Sequence, residues 1–117
     1  MSVKVAVRVR PFNEREIKML SAKCCIKMEG QRTIIKDYCI GTERTFTFDY
    51  SFWSHDGYKT DDGTMIPSDI LSPYIDQEYV FKQLGQQVLD NAWQGYNCCL
   101  FAYGQTGSGK SYSMVGL

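Results

Sequence analysis

The sequence predicts an α/β fold with a central, mostly parallel sheet flanked by helices. Three consecutive features favour it: an amphipathic helix over residues 76–93, an apolar run over residues 97–103 and a glycine-rich turn from Gly104. The apolar run is typical of a strand buried on both faces of a parallel sheet. A helix, a buried strand and a glycine-rich turn in this order belong to α/β proteins.

The helix over residues 76–93 is predicted from its apolar periodicity. One face carries apolar side chains at intervals of three to four residues, namely Val80, Phe81, Leu84, Val88, Leu89, Ala92 and Trp93. Asp76 can cap the start of this helix, and Gly95 stands just beyond its end.

Shorter elements are predicted in the first half of the chain. Residues 3–10 alternate β-branched and polar side chains, which indicates a strand, and Pro11 ends it. Asn13 is a candidate cap for a short helix through Leu20, with acidic residues near its start. Further strands are expected at residues 24–28, 33–35 and 45–48.

Residues 54–75 are predicted to form a solvated loop insertion. They contain two glycines, two prolines and four aspartates, without helical or strand periodicity. The aspartate spacing matches no calcium-binding loop.

Composition limits the class of protein. The chain has 117 residues, is 44% hydrophobic, and contains no apolar run near the 18 residues that suggest a membrane span. Charges near the N-terminus argue against a secretory signal, so a soluble intracellular chain is expected. The five cysteines show no C-x-x-C spacing and are expected to be reduced and buried; they are Cys24, Cys25, Cys39, Cys98 and Cys99.

Charge is distributed unevenly although the net charge is zero. Residues 1–44 carry ten Lys/Arg against five Asp/Glu, which gives +5, and residues 45–117 carry three against eight, which gives −5. The basic residues are scattered singly, so a solvated face is favoured over a binding patch for an acidic partner.

The glycine-rich turn fits the phosphate-binding pattern G-x-x-x-x-G-K-S/T. Its residues are Gly104, Gln105, Thr106, Gly107, Ser108, Gly109, Lys110 and Ser111. In such loops backbone N–H groups cradle the phosphates, the lysine reaches the β- and γ-phosphates, and the serine hydroxyl binds Mg²⁺. We therefore expect a nucleoside triphosphate as ligand, with Lys110 and Ser111 in these roles, and a helix beginning at Lys110.

Hydrolysis requires groups beyond this loop. A second acidic residue usually holds Mg²⁺, and another group positions the attacking water. Both normally follow the loop, and only six residues do so here, so we expect this chain to be the start of a larger protein. Asp49 is an upstream alternative for Mg²⁺, although an aspartate at the end of a strand is commonly a turn residue.

Several motifs resemble those of kinesin motor domains. Residues 8–13 (Arg-Val-Arg-Pro-Phe-Asn) resemble the R-x-R-P-x-N element, residues 46–49 with Phe52 resemble the next marker, and residues 95–97 and 101–111 match the kinesin nucleotide loop. Residues 49–54 and 109–112 resemble the kinesin-3 vesicle transporters.

The resemblance implies an ATP site with Mg²⁺ in a P-loop NTPase of the kinesin-motor fold, of which this chain is the N-terminal part. Pro11 and Tyr112 would sandwich the adenine, Arg8 would lie along the base or ribose edge, and Arg10 is included among the nucleotide-binding residues. Without the resemblance, the favoured interpretations are that Pro11 ends a strand and that Tyr112 is a residue in the first turn of a helix. The resemblance implies microtubules and vesicle cargo as partners, and no nucleic acid. It also implies a cytoplasmic location on the cytoskeleton.

Kinesins carry two nucleotide-sensing segments after the loop, N-x-x-S-S-R and D-x-x-G, and neither occurs in this sequence. The chain alone is therefore expected to be a poor ATPase without most of the track-binding surface. Two alternatives to an ATP-hydrolysing motor remain: a nucleotide-binding module without turnover, and a phosphotransferase in which Asp49 binds Mg²⁺.

Overall fold

The computed structural model describes residues 3–105 and 107–115, and Thr106 lies outside them. Contacts divide the chain into two compact units, Met1–Gly57 and Tyr58–Leu117.

The first unit is built on a parallel strand pair and an antiparallel sheet. Strand β1 (Ala6–Val9) pairs in parallel with β5 (Tyr50–Trp53), so that Ala6 lies opposite Tyr50. Between them the chain forms helix α1 (Glu14–Lys18) and a three-stranded sheet in the order β2-β3-β4. The three strands are β2 (Ile26–Glu29), β3 (Arg32–Asp37) and β4 (Thr42–Thr47).

The buried residues of the first unit lie on β3 and β5 and directly after β5. Phe52 and Thr33 are both 3% exposed, and Ser54 is 2% exposed. Phe52 stacks on Tyr50 with ring centroids 5.5 Å apart. The four strands predicted in this half correspond to β1, β2, β3 and β4 and the short helix to α1, with bounds shifted by a few residues, whereas β5 was not predicted.

The second unit begins with a hairpin that the sequence analysis did not predict. Strands β6 (Tyr58–Asp61) and β7 (Thr64–Pro67) pair antiparallel within the segment expected to be an irregular loop. The turn between them uses Asp62 and Gly63 at φ of 53° and 79°, the left-handed conformation of tight hairpin turns. The two strands of this hairpin are short and mostly exposed. The hairpin is therefore specified by the geometry of its turn and not by apolar periodicity in its strands.

The predicted helix over residues 76–93 is present with a π-helical turn inside it. It comprises α2 (Gln77–Val80), the π turn (Phe81–Gly85) and α3 (Gln86–Trp93). Asp76 caps it by accepting from the Tyr79 amide at 2.8 Å. Most of its apolar face is exposed, with Trp93 at 90%. Among the described residues of this unit, the buried apolar residues are Tyr74 and Val80.

The predicted buried strand over residues 97–103 is wrong for the described structure. These residues form no strand, and Phe101 and Tyr103 are 86% and 102% exposed. A strand needs a hydrogen-bonded neighbour, and within residues 3–105 and 107–115 no other strand pairs with this run. The expected burial of the thiols is likewise wrong, since Cys24 is half-buried and the other four cysteines are exposed.

In the described part of the chain no helix is long and apolar enough to cross a bilayer.

Candidate nucleotide-binding site

The glycine-rich loop depends on backbone conformations that favour glycine. Gly107 and Gly109 adopt φ of 82° and 100°, which other residues reach only with strain. Between them, the Ser108 amide donates to the Gln105 carbonyl at 3.0 Å and closes a turn. The spacing of glycines in the motif therefore corresponds to the positions where the chain must bend sharply.

Gly104, at the start of the loop, lies close to the Ser108 side chain. A Cβ atom at this position would lie 2.5 Å from the Ser108 hydroxyl oxygen and 3.2 Å from the Ser108 Cβ. The Ser108 side chain thus lies directly against the Gly104 backbone, and the loop folds back on its own first residue.

The loop leads into helix α4 (Lys110–Val115), as the sequence predicted. Lys110 and Ser111 are exposed in its first turn, and Tyr112 is half-buried. The Gln77 side-chain amide donates to the Ser113 carbonyl at 2.9 Å, which joins α4 to the first residue of α2. This contact fixes the helix that presents the predicted phosphate and Mg²⁺ ligands.

A second group of predicted site residues lies in the first unit, where Arg8, Arg10 and Pro11 are half-buried around the end of β1. The Arg10 guanidinium donates to the Pro11 carbonyl at 2.7 Å and makes two bonds to the Glu16 carboxylate, at 2.7 and 2.9 Å. Such a two-point arginine–carboxylate contact fixes the orientation of both groups.

Glu16 is also part of the cap of helix α1. Its carboxylate accepts from the Asn13 amide at 2.9 Å, while its own amide donates to the Asn13 side chain at 2.9 Å, which completes a capping box. The hydrogen bonds from Arg10, with that from Asn13, lower the pKa of Glu16 from 4.5 to about 2. The same contact raises the pKa of Arg10.

His55 also contacts this segment. Its Nδ1 lies 3.0 Å from the Arg10 carbonyl oxygen, and because that oxygen can only accept, the ring nitrogen carries the proton. The Phe12 and Trp53 rings pack against the imidazole edge to face, with centroids 4.6 and 5.5 Å away.

The predicted residues therefore fall into two groups. The described residues of the loop and α4 lie together in the second unit, and Thr106 is outside the described residues. Arg8, Arg10 and Pro11 lie together in the first unit. Three contacts of these residues were not predicted from the sequence: Glu16 as a partner of Arg10, His55 as a donor to the Arg10 carbonyl, and Ser54 as an acceptor from Arg8. The N-x-x-E spacing of the capping box was the available signal for Glu16.

Asp49 has a structural role in the described residues. Its carboxylate accepts from the Val5 amide at 2.7 Å, and its carbonyl accepts from the Gln31 side chain at 2.9 Å. These bonds fix the turn before β5, in agreement with the reading of Asp49 as a turn residue.

A glycine-rich G-x-x-x-x-G-K-S loop that opens a helix is the arrangement typical of P-loop proteins. The family model described as the kinesin motor domain matches residues 8–117. The chain therefore belongs to the kinesin motor domain family, as its motifs indicated.

Individual relatives agree with this assignment. The chain is 54% identical over 117 residues to the kinesin-like protein KIF28 of Rattus norvegicus and 48% identical over 121 residues to KIF13A of Homo sapiens. It is also 48% identical to KIF1A of Rattus norvegicus. These are kinesin-3 members, in line with the sequence resemblance. The alignments cover 97–98% of this chain but only 11% of KIF28 and 6% of the other two.

Solved kinesin structures show the same fold. A structure of KIF14 with ADP in complex with a microtubule matches 99% of this chain with a TM-score of 0.77 and 42% identity. The two-heads-bound KIF14 dimer with AMP-PNP on a microtubule matches with a TM-score of 0.80 and 41% identity. The chain covers 28% of each of those chains, so it has the fold of part of a kinesin motor domain.

Proposed function

We propose that this chain supplies the ATP-binding part of a motor that couples ATP hydrolysis to movement along microtubules. The observation that carries the proposal is the glycine-dependent loop Gly104–Ser111, which opens helix α4 in a chain of the kinesin family. Loop amides would cradle the phosphates, the Lys110 ammonium would pair with the β- and γ-phosphates, and Tyr112 and Pro11 would hold the adenine, with Arg8 and Arg10 nearby.

The residues present fit Mg²⁺ bound together with ATP. The described residues contain no group of three or more His, Cys, Asp or Glu side chains that could hold a metal. Mg²⁺ is commonly held by one or two protein oxygens with phosphates and waters, and the exposed Ser111 hydroxyl can supply such an oxygen. Bound Mg²⁺ would neutralise charge on the phosphates as the terminal phosphoryl group is transferred.

The nucleotide site is tested by Lys110→Ala in the intact protein that carries this chain. We expect loss of tight Mg-ATP binding, roughly a tenfold to hundredfold weaker affinity, since a charge-assisted contact contributes about 1.5–3 kcal/mol. Lys82→Ala is the matched control, because Lys82 pairs with Glu78 at 3.1 Å on the α2 and π-turn surface. Equal affinities in the two variants, by isothermal titration calorimetry, would refute the site assignment.

The motor assignment is tested by co-sedimentation of the intact protein with microtubules. Both matched KIF14 structures are microtubule complexes, one with ADP and one with AMP-PNP. We expect tighter microtubule binding with AMP-PNP than with ADP, together with ATPase activity that microtubules stimulate. Nucleotide binding without either effect would instead favour a binding module without turnover. A cytoplasmic, microtubule-associated location and vesicle cargo belong to the same proposal.

A further inference from the structure

The segment from Arg10 to Asn13 contains Pro11 and is held at both of its ends by one carboxylate. Glu16 Oε1 accepts from Arg10 Nη1 at 2.7 Å and from the Asn13 amide at 2.9 Å, while Oε2 accepts from Arg10 Nη2 at 2.9 Å. The Pro11 carbonyl is bonded in turn to the same guanidinium at 2.7 Å. A single side chain thus closes a ring around the proline.

The contacts around this ring leave the proline little freedom. The His55 ring donates to the Arg10 carbonyl at 3.0 Å. At the C-terminal end, the Ile17 amide donates to the Asn13 carbonyl at 3.1 Å, so Asn13 is bonded to helix α1 as its N-cap. Pro11 itself has a fixed φ, so anchoring Arg10 before it and Asn13 two residues after it limits where its ring lies.

We propose that Glu16 is a positioning residue for nucleotide recognition: by bridging Arg10 and Asn13 it holds the Pro11 ring at the place where the base of the nucleotide stacks. Glu16 does not itself contact the nucleotide, and the effect passes through Pro11. The inference rests on the proposed function, because it requires that Pro11 contacts the base.

The Glu16 bridge would act by preorganisation. A stacking surface that is already ordered before the ligand binds contributes more to affinity, because binding then carries a smaller entropic cost of ordering. The Arg10–Glu16 pair is partly shielded from solvent, with side chains 34% and 22% exposed. The planar guanidinium of arginine can bond to both carboxylate oxygens at once, and this two-point contact fixes the orientation of the pair more firmly than a single contact. The bridge therefore supplies order that the short helix α1, of five residues, would not supply alone.

The test compares Glu16→Gln with Glu14→Gln in the intact protein. Glutamine can still accept from the Asn13 amide, so the capping box is retained while the charged two-point contact with Arg10 is lost. Glu14 lies on the same helix, is 88% exposed and pairs only distantly with Lys18, at 3.9 Å. Affinities are measured by calorimetry for Mg-ATP and for Mg-bound ribose 5′-triphosphate, which has no base.

We expect Glu16→Gln to weaken ATP binding about fivefold to tenfold, a part of the contribution of one stacked base. Ribose 5′-triphosphate binding should change less than twofold, and Glu14→Gln should leave both ligands unaffected. In a Pro11→Ala background, Glu16→Gln should have no further effect on the ratio of the two affinities. Equal loss for both ligands, or no loss for either, would overturn the inference.

Two further variants separate the possible failures. If Glu16→Gln does not fold, Glu16→Asp replaces it, because aspartate keeps the charge but is one methylene too short to reach both Arg10 and Asn13. The same selective loss of ATP affinity is then expected, and an unselective loss overturns the inference. If Lys110→Ala weakens ATP binding while the Glu16 variants match Glu14→Gln, the site stands and the role of Glu16 is refuted. If Lys110→Ala has no effect, the proposed function itself fails.

Discussion

The Arg8 side chain donates from Nε to the Ser54 hydroxyl at 2.9 Å, across the parallel pair of β1 and β5. Ser54 is 2% exposed, and its amide also donates to the Val9 carbonyl at 3.1 Å. The residue directly after β5 thus fixes both the end of β1 and the direction of an arginine on it. The hydroxyl and the amide of this buried serine are thus both hydrogen-bonded.

Ser54→Ala should destabilise the β1–β5 pair by about 1–3 kcal/mol, because it removes the oxygen that accepts from a half-buried guanidinium. Amide hydrogen exchange of β1 and β5 in the intact protein measures the free energy of local opening. Ser68→Ala, at an exposed serine, should stay within about 0.5 kcal/mol of wild type. Similar exchange in both variants would mean that the hydrogen bond contributes little.

Thr33→Val should destabilise the β2-β3-β4 sheet by about 1 kcal/mol. Thr33 is 3% exposed, and its hydroxyl lies 2.9 Å from that of Ser51. Since the Ser51 hydroxyl donates to the Gln31 carbonyl at 2.9 Å, Thr33 is the donor in the pair. Valine keeps the shape and removes that donor. Thr45→Val, at an exposed position of β4, is the control for hydrogen exchange, and the prediction is wrong if the two variants open equally.

The contribution of the Glu16 bridge to stability should depend on pH only under acidic conditions. Its folded pKa of about 2 lies below the ordinary 4.5, so the stabilisation is fully present above pH 4.5 and is lost as pH falls towards 2. The carboxyl carbon shift of Glu16, followed by NMR against pH, reports this titration directly. A midpoint near 4.5 would show that the bridge to Arg10 does not persist in solution.

Tyr112→Ala should weaken ATP binding by about 1–2 kcal/mol, the scale of aromatic stacking on a base. Binding of ribose 5′-triphosphate should be unaffected, since only the base contact is lost. Tyr38→Ala, which removes an aromatic ring that is 64% exposed beyond β3, is the control. Equal losses for ATP and the triphosphate without a base would exclude the adenine sandwich.

Local signals in the sequence predicted much of this chain. Asn13 and Asp76 cap helices where expected, and Gly95 has φ of 88° just beyond α3. The loop glycines Gly107 and Gly109 adopt the conformations for which glycine is needed. These features depend on residues within a few positions of one another, so the sequence pattern contains the information that specifies them.

Long-range relationships were not predictable in the same way. The run over residues 97–103 reads as a buried strand, yet a strand exists only when another pairs with it, and pattern alone does not supply that partner. The hairpin of β6 and β7 was missed because exposed strands lack apolar alternation. Tyr74 is buried and packs on Tyr58 with ring centroids 5.3 Å apart, a contact that no local period indicates.

The sequence by itself determined the family and predicted a phosphate-binding loop, because both rest on contiguous motifs whose residue types are dictated by chemistry. The tertiary structure decided which side chains support those motifs. Ser54 meets Arg8, and His55 meets the Arg10 carbonyl, across more than forty positions of the chain. Contacts of that kind depend on how β1 and β5 align in parallel, and strand register is set by the packing of the whole unit and not by either strand alone.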